Sequence, residues 1–193
     1  MADALTDKKI AIIATDGVEQ VELEQPRQAV EQAGAKTELL SIQAGQIQAM
    51  NHDLEPADKF GVDKLVSEAS AADYDGLILP GGTVNADKLR VDPDVISFVQ
   101  EYFRSGKPVG VICHGPWTLV EADLVRGRTL TSYPSLRTDI RNAGGEVVDE
   151  EVVVDQGLVS SRNPDDLPAF CAKIVEEFAE GRHEIAHAGA TAG

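Results

Sequence analysis

Short apolar runs alternate with stretches of helical spacing along the chain, and glycines or prolines mark most of the changes. Ile10 to Ala14 read as a strand buried on both faces, and Asp16 and Gly17 then turn the chain toward a helix from about Val21 to Ala33, closed by Gly34. Pro26 is expected in that helix's first turns or at a kink. Thr37 to Ser41 form a second strand, while Ile42 to Lys64, polar in its middle, reads as a hairpin or a surface loop. Leu77 to Leu79 form a third strand that ends in Pro80, Gly81 and Gly82.

Asp92 and Pro93 cap and start a helix with Ile96, Val99 and Phe103 on one face, and Gly106 with Pro108 stops it. Val109 to Ile112 make another wholly apolar strand, and Leu130 begins a further short one. Ser135 to Ala143 look helical, Val152 to Val154 and Leu158 to Ser160 flank a turn as in a hairpin, and Pro164 opens a last helix through Glu180. Strand and helix patterns alternate, which predicts an α/β fold with a mostly parallel sheet covered by helices on both sides. Ligands bind such sheets beyond the carboxyl ends of the strands. The segment after the first strand, the Pro80 to Gly82 turn and Cys113 all fall on that edge.

Cys113 sits where Val109 to Ile112 give way to Gly115 and Pro116, the place for a sharp turn from strand into helix. A helix pointing unpaired N–H groups at the thiol is expected to lower its pKa. Gly115 gives the turn room, and Pro116 suits a first helical position. Cys171 instead shares a helical stripe with Leu167, Phe170, Ile174, Val175 and Phe178, so it reads as packing.

Glu19 and Glu22 follow the first strand; either they are ordinary acidic residues of a helix's first turn, or Glu22 reaches Cys113 from the start of the adjacent helix. A carboxyl beside a thiolate is pushed to keep its proton and donate it in a hydrogen bond. Gly81 and Gly82 allow close backbone approach to a reacting carbonyl, and their N–H groups with that of His114 would make an oxyanion hole. His114 adjoins the nucleophile, but neighbours on a strand point apart, so only the turn brings its ring near the sulfur. His183, Glu184 and His187 spell the zinc-binding pattern H-E-x-x-H, yet they lie between Gly181 and a small-residue tail with no evident third ligand. No metal or other cofactor is expected.

The chain has 193 residues, enough for one core, and is expected to form one domain over 1–182 with a C-terminal tail over 183–193. Seventeen basic against thirty-three acidic residues give a formal charge of −16, which argues against nucleic acid or anionic membrane as partner. The start, MADALTDKK, lacks a secretory pattern, and two cysteines make no disulfide framework; a reducing cytoplasmic setting is expected.

Val111-Ile112-Cys113-His114-Gly115-Pro116, Gly17-Val18-Glu19-Gln20-Val21-Glu22-Leu23, Leu79-Pro80-Gly81-Gly82, Thr131-Ser132-Tyr133-Pro134 and Ser160-Ser161-Arg162 resemble the ThiJ/PfpI family of the class I glutamine amidotransferase-like superfamily, over about Lys8 to Glu180. The resemblance implies a flavodoxin-like three-layer sandwich and a site of Cys113, His114 as its partner and Glu22 as the carboxyl touching the sulfur. Gly82 and His114 would be the backbone donors, with Gly81 and Glu19 on the substrate side. An acidic residue after the glycine pair completes a triad across a subunit interface in the PfpI branch; the match here is Asp87, an Asp where Glu is common, in a stretch one residue longer than usual. Val111 stands where a small residue is frequent, and Ser161, Arg162 and Asn163 replace the His-x-Glu of an amidotransferase.

The resemblance thus implies a cysteine-dependent hydrolase with a stress-response role, working as a homodimer or higher homo-oligomer. Its substrates would be aldehyde adducts, as in a deglycase or glyoxalase, or peptides, as in an intracellular protease. The alternative is a non-catalytic redox sensor or holdase-like protein that works through oxidation of Cys113.

Overall fold

A computed structural model describes residues 3–182. A seven-stranded sheet has the order β11-β12-β8-β7-β1-β3-β6. Its strands are β1 (Lys9–Ile13), β3 (Lys36–Ser41), β6 (Lys64–Leu65), β7 (Gly76–Leu79), β8 (Val109–Ile112), β11 (Val152–Asp155) and β12 (Leu158–Ser161). All neighbours pair in parallel except β11, which joins β12 antiparallel through the turn expected at Gln156 and Gly157.

Helices cover both faces. The first face carries α1 (Gln20–Gln32) and α6 (Leu167–Glu180), and the other carries α2 (Thr83–Arg90), α3 (Pro93–Arg104), α4 (Pro116–Glu121) and α5 (Arg137–Asn142). The inner strands β7 and β8, and β1 from Ile10 on, are apolar on both faces because alternate residues enter separate cores. Ile10 and Ile12 pack with Leu23, Val30, Phe170, Ile174 and Phe178, while Ala11 and Ile13 join Val95, Val99, Tyr102 and Leu119. This is the parallel α/β sandwich that the pattern predicts.

Most boundaries agree with the pattern within a residue or two. Asp92 caps α3, its side chain accepting from the N–H groups of Asp94 and Val95. Pro26 is an exception, because α1 runs through it in mid-helix rather than holding it in the first turns. There it withholds the N–H that would have bonded the main-chain carbonyl of Glu22. The expected stripe of α6 holds, with Leu167, Phe170, Ile174 and Phe178 buried and Cys171 partly so.

The structure resolves one open reading and adds one element that the pattern lacks. Ile42 to Lys64 is mostly a hairpin of β4 (Gln46–Asn51) and β5 (Glu55–Gly61), and β4 also pairs in parallel with β2 (Val18–Glu19). This places the hairpin's turn beside the carboxyl edge of the main sheet. The helix α2 begins directly after the Gly81-Gly82 turn. A small parallel pair, β9 (Thr129–Leu130) with β10 (Glu146–Val147), completes the description. His183, Glu184, His187 and the remaining tail lie outside the described residues.

Candidate active site

Cys113 leaves β8 with φ at +61°, the left-handed region that a side chain enters at a cost. Its surroundings hold it there. Its N–H donates to the carbonyl of Ser161 at 3.1 Å, its carbonyl accepts from Tyr133 N–H at 2.9 Å, and Gly115 N–H closes the turn on Ile112 at 2.9 Å. A Cβ at Gly115 would come within 2.6 Å of the Leu79 carbonyl oxygen, so only glycine lets the chain pass so close to β7. The elbow is therefore present with the strained backbone that the sequence predicts.

The turn also brings His114 round. Its Nδ1 lies 3.2 Å from Cys113 Sγ, and its Nε2 lies 3.4 Å from Thr83 Oγ1 and 3.3 Å from Ser135 Oγ. The ring stacks on Tyr133 and meets Trp117 edge-on. Burial pushes the imidazole pKa down while Asp53 opposes that, so His114 is neutral at pH 7 and able to accept a proton.

Glu22 is fully buried, hydrogen-bonded to the Cys113 thiol, and accepts from Gly81 N–H at 2.9 Å. Burial, with Glu19 nearby, raises its pKa from 4.5 to about 8. It therefore keeps its proton at neutral pH and donates toward the sulfur.

The thiol itself departs from the sequence expectation. Cys113 is 6% exposed, and burial pushes its pKa up rather than down, with the charge of an ionised Glu22 adding to the push. The Gly82 and His114 N–H groups act the other way. The helix that was expected to lower it, α4, has just six residues, and removing a thiolate from water outweighs its terminus. The resting pair is thus a thiol beside a neutral imidazole, and the anion forms when Nδ1 takes the proton.

Gly82 and His114 direct their N–H groups at the sulfur, as donors to charge on or next to it. Gly81 does not join them, since its N–H is committed to Glu22. A side chain at Gly81 would run into Glu22 Oε2 and Cys113 Cβ, so this glycine separates the acid from the nucleophile instead of touching a ligand. At Gly82, with φ at +91°, a Cβ would strike the carbonyl of Gly17.

The sulfur opens on a pocket of about 220 Å³ lined by Glu19, Glu22, His52, Asp53, Gly82, Cys113, Tyr133 and Pro164. Glu19 borders it, but its carboxylate is engaged by the N–H groups of His52 and Asp53 at 3.0 and 3.1 Å. Asp87 is exposed on α2 and does not line the pocket; within one subunit it is not the acid near His114. Among the described residues no group of His, Cys, Asp and Glu is arranged to hold a metal, and no helix is long and apolar enough to cross a membrane.

Three contributors were missed in the sequence. His52 and Asp53 form the turn of the β4–β5 hairpin, and Asp53 accepts from Thr83 through both its N–H (2.7 Å) and its hydroxyl (2.9 Å). Asn85, fully buried, accepts from Thr15 N–H and donates to the carbonyls of Pro80 and Gly81. It ties the end of β1 to the glycine turn. None of the three carries a local signal beyond an ordinary polar residue.

Comparison with known proteins gives the family and bears out the fold. The DJ-1/PfpI family model matches residues 8–177. YraA of Bacillus subtilis (strain 168), provisionally named a cysteine protease, is 40% identical over 84% of this chain and 94% of its own. Protein/nucleic acid deglycase 2 of Escherichia coli (strain K12) is 42% identical over 84% of this chain and 93% of its own. Among solved structures, a two-domain protein from Anabaena variabilis with DJ-1/ThiJ/PfpI-like and ferritin-like domains superposes with a TM-score of 0.83 at 35% identity, covering 88% of this chain and 48% of that one. Drosophila melanogaster DJ-1beta gives a TM-score of 0.80 at 26% identity, covering 93% and 91%. With the matched family model spanning most of its length and a strained cysteine elbow at its sheet edge, the chain belongs to the DJ-1/PfpI family.

Proposed function

We propose that this protein is a cysteine-dependent hydrolase of glycated or methylglyoxal-derived adducts, with a role in the response to carbonyl stress. The observation that carries the reading is Cys113 Sγ held 3.2 Å from the Nδ1 of a neutral His114, at the edge of a pocket of about 220 Å³. In this reading His114 takes the thiol proton and the sulfur adds to a carbonyl carbon of the adduct. The charge passing from sulfur to oxygen is met by the Gly82 and His114 N–H groups and the protonated Glu22. His114 then gives that proton to the leaving amine or thiol of the adduct as its bond to the attacked carbon breaks, and water takes the remaining fragment from Sγ, returning the proton to the thiol.

Pocket size favours a small adduct over an extended peptide. Amide cleavage needs a cleft that fixes several residues of chain and an acid placed for the amine leaving group. The names of the relatives in Escherichia coli and Bacillus subtilis support a deglycase and a peptidase respectively, so both substrates belong in the assay. The sensor alternative is less favoured, because a thiol that burial pushes up reacts slowly with peroxide.

A homo-oligomer is part of the proposal. Val84 and Asp87, three apart on α2, are both exposed, and Val84 with Leu54 and Tyr133 makes an apolar fringe at the site. Pairing over that face would carry Asp87 toward a neighbour's His114.

The deciding assay compares purified wild type with Cys113→Ser on methylglyoxal, on a methylglyoxal-modified peptide and on unfolded casein. Turnover of the first two is expected, with a loss of at least about 10³-fold in the variant. Equal rates in both proteins would remove the hydrolase reading.

A further inference from the structure

The β4–β5 turn has a property its neighbours do not require. His52 and Asp53 are consecutive and both left-handed, with φ at 53° and 61°. They are the central residues of a β-turn closed by Leu54 N–H on the Asn51 carbonyl, and turns with two left-handed central residues usually carry glycine at the second, where it costs least. Here that position holds a carboxylate, and Glu19 pins the turn by accepting from both of its N–H groups at 3.0 and 3.1 Å. Glycine at 53 would suit the backbone better, but it would supply no acid.

The acid leads to His114. Asp53 Oδ1 accepts from Thr83 N–H, and Oδ2 accepts from the Thr83 hydroxyl at 2.9 Å. An ionised carboxylate only accepts, so the single hydroxyl proton of Thr83 is used on Asp53. The Thr83 oxygen that faces His114 Nε2 at 3.4 Å is then left as an acceptor. An acceptor there requires the ring proton on Nε2, and Nδ1 is left with its lone pair toward Cys113 Sγ. Ser135 Oγ, 3.3 Å from the same nitrogen and on an exposed residue, is free to rotate and accept as well.

We propose that Asp53 is a positioning residue that acts through Thr83 to fix the tautomer of His114, doing within one subunit what the resemblance assigns to Asp87 of a neighbour. Asp53 also faces the ring electrostatically and favours its protonated form, the form His114 takes once the thiol proton has moved. The inference rests on Cys113 being the nucleophile that His114 deprotonates, but not on any particular substrate.

The test therefore reads the ring and the thiol directly. Long-range proton–nitrogen NMR of His114 at neutral pH distinguishes the two tautomers, and iodoacetamide alkylation followed by mass measurement gives the reactivity of Cys113. Wild type is expected to show the proton on Nε2. Asp53→Asn tolerates the left-handed backbone but offers an amide donor to Thr83, turning the hydroxyl proton onto Nε2 and shifting the ring proton to Nδ1. Alkylation should slow by roughly 10- to 100-fold. Thr83→Val should do the same while keeping the Asp53 contact to its N–H, and Thr83→Ser should restore the wild-type tautomer. A ring proton on Nδ1 in wild type would overturn the proposal. So would wild-type tautomer and alkylation rate in Thr83→Val, a result that decides the matter even where Asp53→Asn loosens the hairpin. Neither readout needs turnover, so a failed hydrolase assay and a failed relay are separate results.

Discussion

Glu22 is an acid sealed beside a sulfur, and its proton affinity follows from burial before any neighbour is considered. Because its pKa rises from 4.5 in the unfolded chain to about 8 in the folded one, the native state holds a proton that the unfolded state releases between those values. Stability from this group is full below pH 4.5 and is lost as pH rises toward 8, at up to about 1.4 kcal/mol per pH unit. For a chain of this size that is up to about 3–6 °C in Tm per unit. Thermal melts from pH 5 to pH 8 should show this fall in wild type and a flatter profile in Glu22→Gln, which cannot ionise. A profile unchanged by the substitution would mean that the carboxyl titrates as an exposed one does. Gly81 gives a second outcome at this scale. Gly81→Ala drives a methyl into Glu22 and Cys113, so turnover should fall about 10²-fold or more while the far-ultraviolet circular dichroism stays that of wild type.

At the scale of elements, the site is a junction between the ends of β1, β7 and β8, the start of α2 and the hairpin turn. Asn85 on α2 is the strongest single tie, with three buried backbone partners. Asn85→Ala leaves Thr15 N–H and the Pro80 carbonyl without their side-chain partner, while the Gly81 carbonyl keeps Glu19 N–H at 3.4 Å, at roughly 1–3 kcal/mol for each group that water cannot reach. A fall of about 5–10 °C in Tm is expected, read by calorimetry, together with reduced activity because the glycine turn loses its anchor. A melt within a degree of wild type would show that the tie carries no weight. The parallel strands, α3 and α6 were legible because apolar spacing, an Asp-Pro cap and a buried stripe are local signals. The helix α2 was not legible, and the β4–β5 hairpin was legible only as one of two readings, without its strand bounds. Alternation in the hairpin is interrupted by a register shift between Gln48 and Met50, and α2 is eight residues with polar Asn85 on its buried side.

Across the whole molecule, negative charge would govern how the two copies of the proposed homo-oligomer meet. A formal −16 repels a second copy, while Leu54, Val84 and Tyr133 offer apolar surface near the pocket mouth. Salt shortens the range of repulsion, with a Debye length of about 30 Å at 0.01 M and about 8 Å at 0.15 M, and leaves apolar contact in place. The proposed homo-oligomer should therefore strengthen as ionic strength rises over that range in sedimentation velocity runs, and Val84→Glu should weaken it. Association that weakens with added salt would point to ion pairs instead and would leave the apolar fringe without that role.

The amino-acid sequence by itself determined the alternation that builds a parallel sheet and the elbow that carries Cys113. It also marked His114 and Glu22 as that residue's companions and gave the excess of negative charge. Apart from Glu22, which the parallel sheet edge and the family resemblance connect to Cys113, each depends on residues close together in the chain or on simple sums over it. Tertiary structure decided the rest. It raised the thiol's proton affinity where a helix terminus alone would have lowered it, because burial depends on everything packed around the sulfur. It committed Gly81 to Glu22, kept Asp87 out of its own subunit's pocket, and brought Asp53 to His114 through Thr83. The carboxylate and the imidazole it faces are separated by some sixty residues of chain, and only the folded hairpin joins them.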